Sequence, residues 1–362
     1  VPYLNHAGTS WPKPAPVREA VQRALAADPA DWATSFAAHH AAVAAAFGIG
    51  EPDRLLLTPG CTSALATAVG ALPWRGGERI ATSAWEHQAL AGPAQRLAAR
   101  GVEHVVVGPG GGGPLDLDRL EGELRGGRVR LVAMCAACNV TGELLPVGDV
   151  VELAHRYGAL VLVDAAQTAG WSDDDVTGLG ADLFAFAGHK GPQAPWGIGG
   201  LYAAPGVPFE GAAPGYCDTG SVDRLALAGL AAGLAWLQAP ARAERLARAR
   251  SIIEALCTRL EATPGVSLHG PRAPAARVPT IAFTVAGCSA GAVAEALAAQ
   301  DVIASGGRQC APLAHETLGT LDGGVVRLSA GPETALADAV RAADAVESVC
   351  REASRSGRDG DG

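Results

Sequence analysis

The run ALVLVDAA at residues 159–166 is apolar at every position but one. A strand with one wet face alternates apolar and polar residues, so an unbroken apolar run must be covered on both faces. A second run of this kind, ADLFAFAG (181–188), follows it. RLLLTPG (54–60), ERIATSA (78–84), VEHVVVG (102–108) and VRLVAMCA (129–136) precede it. Helix-patterned segments separate them: CTSALATAVGAL (61–72), HQALAGPAQRLAARG (87–101), DLDRLEGELRG (116–126) and PVGDVVELAHRYG (146–158). Strands alternating with amphipathic helices predict an α/β fold whose mostly parallel central sheet is sandwiched by helices. IGGLYAAP (198–205) reads as one more strand.

The pattern changes after a Gly- and Pro-rich stretch near 205–220. Helices are expected at about 222–238 and 240–263, then a strand at 278–287, a helix at 289–301, strands at 302–307 and 325–330, and a last helix to about 352. This reads as a smaller α+β carboxyl-terminal domain. The expected division is a large domain at 13–235, a small one at 236–352 joined by residues 1–12, and a disordered tail at 353–362. Residues 12–50 hold Ala-rich helical stretches broken at Asp28-Pro29, and the pair His39–His40 reads as helix surface.

The net charge of −9 disfavours a nucleic-acid partner, which needs a basic stripe. No run of ~18 apolar residues suggests a membrane span, and the opening VPYLNHAGTSWPKP lacks the basic and apolar regions of a secretory signal. The eight cysteines are scattered rather than framed as disulfides. A reducing cytoplasm is the natural expectation. Cys135 and Cys138 form a single C-x-x-C with no second pair, which reads as strand-end packing, and no metal is expected.

Only two of the 28 Lys and Arg residues are lysine, Lys13 and Lys190. An amine can form an imine with an aldehyde cofactor and a guanidinium cannot. Lys190, in FAFAGHKGPQAPWGIGGLY, follows a strand and a tight turn; it is a candidate for that bond, against the plain alternative of a surface lysine. Lys13, between two prolines, reads as a turn residue. Asp164 ends a buried strand, where parallel sheets present ligand-binding groups, and an acid there can keep a cofactor's ring nitrogen protonated; its alternative is a helix cap. Gln167 can donate to a ring oxygen or be a polar loop residue. In TPGCTSAL, Cys61 and Thr62 open a helix whose N–H groups suit a phosphate, although Thr and Ser are also ordinary caps. His87, in SAWEHQAL, can stack on a ring or be structural.

Together these motifs resemble the class V aminotransferase-like enzymes of pyridoxal-phosphate fold type I, specifically their cysteine desulfurase and C–S lyase branch. YLNHAGTSWPKP, LTPGCTSAL, WEHQAL, NVTGELLPV, LVDAAQTAG, FAGHKGPQAPWGIGGLY, GGRQCAPLAHETLG and VRLSAG stand in order over about residues 3–340. The resemblance implies a pyridoxal 5'-phosphate cofactor bound as an imine by Lys190. It implies Asp164 as partner of the ring nitrogen, Gln167 on the ring oxygen, His87 stacked on the ring and also moving protons, and Thr62, its neighbour Cys61 and His189 near the phosphate. Asn139 and Arg327 would meet the substrate carboxylate, and Cys310 would take sulfur as a persulfide. A homodimer and a sulfur-acceptor protein are further implications.

The sequence departs from that pattern. Ser305 stands where an arginine is usual, with Arg308 nearby; Ala187 replaces a Ser/Thr three residues before the lysine. The segments before LTPGCTS and after GGLY are short, which points to a specialised pocket. The expected activity is C–S cleavage of cysteine or an S-substituted cysteine, ending either in alanine and a persulfide on Cys310 or in pyruvate and ammonia. Transamination or epimerisation of another amino acid, and a catalytically silent scaffold, are the alternatives.

Overall fold

The structure, a computed structural model, describes residues 1–171, 175–210, 221–238 and 242–356. The chain divides into two compact units, one of Pro12–Ala136 with Leu145–Ala239 and one of Val1–Trp11, Ala137–Leu144 and Pro240–Gly362.

The larger unit runs α1 (Ala15–Leu25), α2 (Trp32–Ala46), β1 (Leu55–Thr58), α3 (Cys61–Gly70), β2 (Arg79–Ser83), α4 (Gln88–Arg96), β3 (Glu103–Val107) and α5 (Leu117–Arg125). It continues with β4 (Val129–Cys135), α6 (Val147–Arg156), β5 (Leu160–Asp164), α7 (Val176–Leu179), β6 (Leu183–Ala187), β7 (Gly199–Ala203) and α8 (Arg224–Gln238). The seven strands form one sheet in the order β1-β7-β6-β5-β4-β2-β3. Pairing is parallel from β3 through β6, and β7 runs antiparallel to both of its neighbours.

The apolar runs sit where their patterning requires. Every residue of β6 is buried, and its alternation splits them between two faces. Leu183, Ala185 and Ala187 join Leu162, Leu131 and Ile80 under Leu65, Ala68, Leu90 and Leu97 of the α3–α4 side. Phe184 and Phe186 meet Phe47, with ring centroids 5.9 and 4.3 Å away. Local signals end the helices: Asp116 caps α5 by accepting the Arg119 N–H at 2.9 Å, and Gly101 takes a left-handed turn before β3. His40, expected on the helix surface, is buried, and its Nε2 lies 2.7 Å from the Leu55 carbonyl. The Ala-rich α2 lacks a polar face that would have shown which side turns inward.

The smaller unit carries α9 (Arg242–Glu261), β8 (Val266–His269), β9 (Thr280–Val285), α10 (Ala290–Ala298), β10 (Ser305–Gly307), α11 (Pro312–Leu318), β11 (Val325–Ser329) and α12 (Leu336–Ser356). Its sheet is antiparallel, in the order β10-β11-β9-β8. The amino-terminal segment joins it through bridges of Tyr3 with Ile303 and Asn5 with Ser329. The strand expected at 302–307 is confined to Ser305–Gly307, and β8 and α11 carry too little periodicity to be read from sequence. Most of the Gly- and Pro-rich stretch near 205–220 and the tail from 357 lie outside the described residues. Among the described residues no helix is long and apolar enough to cross a membrane.

Candidate active site

Because β2, β4, β5 and β6 are parallel neighbours, their carboxyl ends fall along one edge of the larger unit's sheet. That edge is the usual location of ligands in such folds. Asp164, the last residue of β5, is 4% exposed. Its Oδ1 accepts the Ala166 N–H at 2.9 Å and the Cys61 thiol at 3.3 Å. Burial pushes the Cys61 thiol well up, the Asp164 charge pushes it further, and Lys190 acts the other way. Cys61 therefore donates as a thiol.

Cys61 also begins α3. The helix starts at Gly60 with no side-chain cap on its first N–H groups, and a Cβ built on Gly60 would meet nothing within 4 Å. Thr62, one residue along, is exposed. An uncapped helix start beside open space is an anion cradle. Thr62 and Ser63, residue types that ordinarily cap helices, do not cap this one.

Lys190 lies three residues beyond β6, on a turn closed by three backbone bonds: Gly188 N–H to Ile198 O (3.0 Å), Ala194 N–H to Gly188 O (2.9 Å) and Gln193 N–H to Lys190 O (3.0 Å). The turn presses against the loop that follows β5. Any side chain at 191 would collide with the Ala169 carbonyl, and a Cβ on Gly170 would come within 2.6 Å of the Gly191 carbonyl carbon. Two glycines thus bring the loop that follows Asp164 and carries Gln167 against the turn carrying His189 and Lys190. Gln167 is 7% exposed. The His189 imidazole is lowered to about 4, first by burial and then by the charges of Lys190 and Lys13. Lys13 is more than a turn residue: its Nζ donates to the His189 carbonyl.

His87 caps α4, its Nδ1 accepting the Ala89 N–H at 3.0 Å. That bond places the proton of the neutral ring on Nε2. Its neighbour Glu86, which sequence reasoning passed over, is fully buried. Ser83 Oγ donates to it, and the Cys135 N–H lies 3.1 and 2.9 Å from its two oxygens. Burial raises its carboxyl to about 8, the Ser83 bond opposes this and the charge of Asp164 adds to it.

Glu86 makes stability depend on pH. Its folded value lies above the ordinary 4.5, so between the two values the folded state holds a proton that the unfolded state has lost, and stability falls as pH rises through that window. Urea unfolding of the wild type should therefore lose on the order of a few kcal/mol between about pH 5 and pH 8. Glu86→Gln should flatten that dependence, and equal slopes in the two proteins would exclude the buried acid as its source.

The smaller unit holds the other candidates. Arg327 of β11 is 5% exposed. Its Nη1 donates to the Asn139 carbonyl at 2.6 Å and its Nη2 to Asn5 Oδ1 at 3.2 Å, while its Nε and Asn139 Oδ1 are buried without a hydrogen bond. Burial holds the guanidinium down, to about 10. Asn139 Nδ2 donates to the Gln309 carbonyl at 2.8 Å. Gln309 and Cys310 both occupy left-handed backbone, with φ of 43° and 55°, and Cys310 is exposed. Ser305 pairs with Arg327 across β10 and β11; Arg308 is exposed. The C-x-x-C cysteines are both buried: the Cys135 thiol donates to the Trp85 carbonyl at 3.6 Å and Cys138 Sγ accepts the Val140 N–H at 3.4 Å.

The class-V aminotransferase model matches residues 16–208 and 209–341. A probable cysteine desulfurase of Mycolicibacterium paratuberculosis is 32% identical over 302 residues, 76% of this chain but only 44% of that protein's length. One from Pseudomonas aeruginosa is 33% identical over 309 residues, 78% of this chain and 75% of the relative. The apo cysteine desulfurase of Thermococcus onnurineus superposes with a TM-score of 0.88 at 24% identity, covering 97% of this chain and 95% of the other, a likeness of fold. With the family model running through both units, the chain belongs to the class-V aminotransferase family.

Proposed function

We propose that this chain is a pyridoxal-phosphate enzyme that cleaves the C–S bond of cysteine or an S-substituted cysteine. The observation that carries the reading is the carboxyl edge of the larger sheet, where buried Asp164 ends β5 and the loop that follows it packs through Gly170 and Gly191 against the Lys190 turn. The residues present fit the cofactor on two counts. The uncapped, open start of α3 suits its phosphate, and a buried carboxylate with Oδ1 already engaged suits a protonated ring nitrogen. Lys190, Asp164, Gln167, His87, Cys61, Thr62 and His189 would hold it. When bound, the cofactor supplies an electron sink for the substrate α-carbon.

The chain's own groups supply the rest. The Lys190 amine takes and returns the proton at the α-carbon. Asp164 would pair with the cofactor's ring nitrogen. His87, whose Nδ1 is already an acceptor, offers Nε2–H as a proton donor. Arg327, a buried guanidinium with an unbonded Nε, binds the substrate carboxylate with Asn139. In the desulfurase branch, the Cys310 thiolate attacks the substrate sulfur. The S–S bond of a persulfide forms as the Cβ–S bond breaks, and a proton at Cβ completes alanine. An S-substituted cysteine would instead lose its thiol by elimination, and water would hydrolyse the released aminoacrylate to pyruvate and ammonia with no part for Cys310. The names of the relatives favour cysteine. A sulfur-acceptor protein, a homodimer and a cytoplasmic setting belong to the same proposal.

Offering cysteine and an S-alkyl cysteine separately, and identifying alanine or pyruvate, tests the branches. Cys310→Ala should remove alanine formation from cysteine by on the order of a hundredfold or more while sparing pyruvate formation from the S-alkyl substrate. Unchanged alanine production in that variant would remove Cys310 from the mechanism.

A further inference from the structure

The only two lysines of the chain meet at one turn. Lys13 Nζ donates to the carbonyl of His189, the residue before Lys190, at 3.2 Å. The same ammonium lies 5.7 Å from the ring centroid of Trp196, farther along the same loop. The Lys13 carbonyl in turn accepts from the Arg18 guanidinium, which ties this short Pro-Lys-Pro stretch to α1. Within the turn the Gly188 carbonyl accepts from Ala194 and that of Lys190 from Gln193, whereas that of His189 accepts from Lys13 outside it.

We propose that Lys13 is a positioning residue for Lys190: its ammonium clamps the His189 carbonyl, fixes the turn that aims the Lys190 amine, and places a second positive charge beside the His189 imidazole. The functional meaning rests on Lys190 carrying the cofactor; the clamp itself does not. Lysine suits the position better than arginine. One carbonyl and an indole face serve an ammonium, whereas a guanidinium brings five N–H donors that would need partners. Burial lowers Lys13 to about 8, so the group is charged in neutral and acidic solution. Its charge is one of the causes, after burial and Lys190, that hold His189 down.

Hydrogen exchange and histidine NMR on the full, cofactor-free chain test the clamp. Lys13→Met keeps the stem but loses donor and charge. It should speed exchange of the 188–194 amides by about tenfold, leave the remaining strands unaffected, and raise the His189 midpoint. Lys13→Gln keeps a donor without charge, so it should hold the exchange protection while the His189 midpoint still rises, a change that loss of packing alone would not produce. If neither variant moves the His189 midpoint and Lys13→Met leaves exchange unchanged, the proposal is overturned. Should Lys13→Met fail to fold, the His189 midpoint in Lys13→Gln decides by itself. Borohydride reduction of the cofactor-loaded wild type and peptide mapping test the Lys190 reading separately. An adduct elsewhere would overturn that reading without touching the clamp.

Discussion

Lys190→Ala should abolish the long-wavelength absorbance of the pyridoxal-loaded protein and lower turnover of cysteine by on the order of a thousandfold or more. The substitution removes the one amine on the turn after β6, and Lys13, held at the His189 carbonyl, is committed elsewhere. The fold should survive, because the turn is closed by backbone bonds and by the glycine contact rather than by the lysine side chain. Lys190→Arg should fare no better, since a guanidinium cannot form the bond. Added short-chain amines should restore part of the turnover in Lys190→Ala, because they replace the missing proton carrier. Full activity in either variant would remove Lys190 from the chemistry.

The second large effect is expected at Asp164. Asp164→Asn keeps the shape and the bond from Ala166 but removes the carboxylate proposed to keep a ring nitrogen protonated. Turnover should fall by on the order of a hundredfold to a thousandfold, with a smaller change in cofactor affinity. The Cys61 thiol, which donates to Asp164 in the wild type, can donate to the amide oxygen too, so the local packing has little reason to collapse. Steady-state kinetics beside cofactor titration separates the two. A loss confined to cofactor affinity, with turnover intact at saturation, would reduce Asp164 to a binding group.

The architecture was legible because the physics of a parallel sheet writes itself into composition. β5 and β6, covered on both faces, have no polar alternation to confuse them with surface strands, and the helices between them declare their period. The smaller unit was harder. β8 and β10 are three or four residues long, too short for a period of two to stand out, and an antiparallel sheet built from distant segments leaves no local trace. Lys190, Asp164 and Gln167 could be singled out as candidates because each lies at or just past the end of a recognisable strand. Glu86 and Lys13 could not, since their meaning depends on which backbone groups approach them: the Cys135 N–H in one case and the His189 carbonyl in the other. His40 failed for a different reason, as alanine on every side of α2 hides the buried face.

Gln309 and Cys310 stand side by side in left-handed backbone, a conformation that costs an L-residue with a β-carbon about 1 kcal/mol or more. Glycine would rest there without penalty. Thermodynamic selection alone therefore pulls both sites toward the smallest residue, and a thiol persists against that gradient. At this bend, what suits folding and what suits the proposed sulfur transfer point in opposite directions.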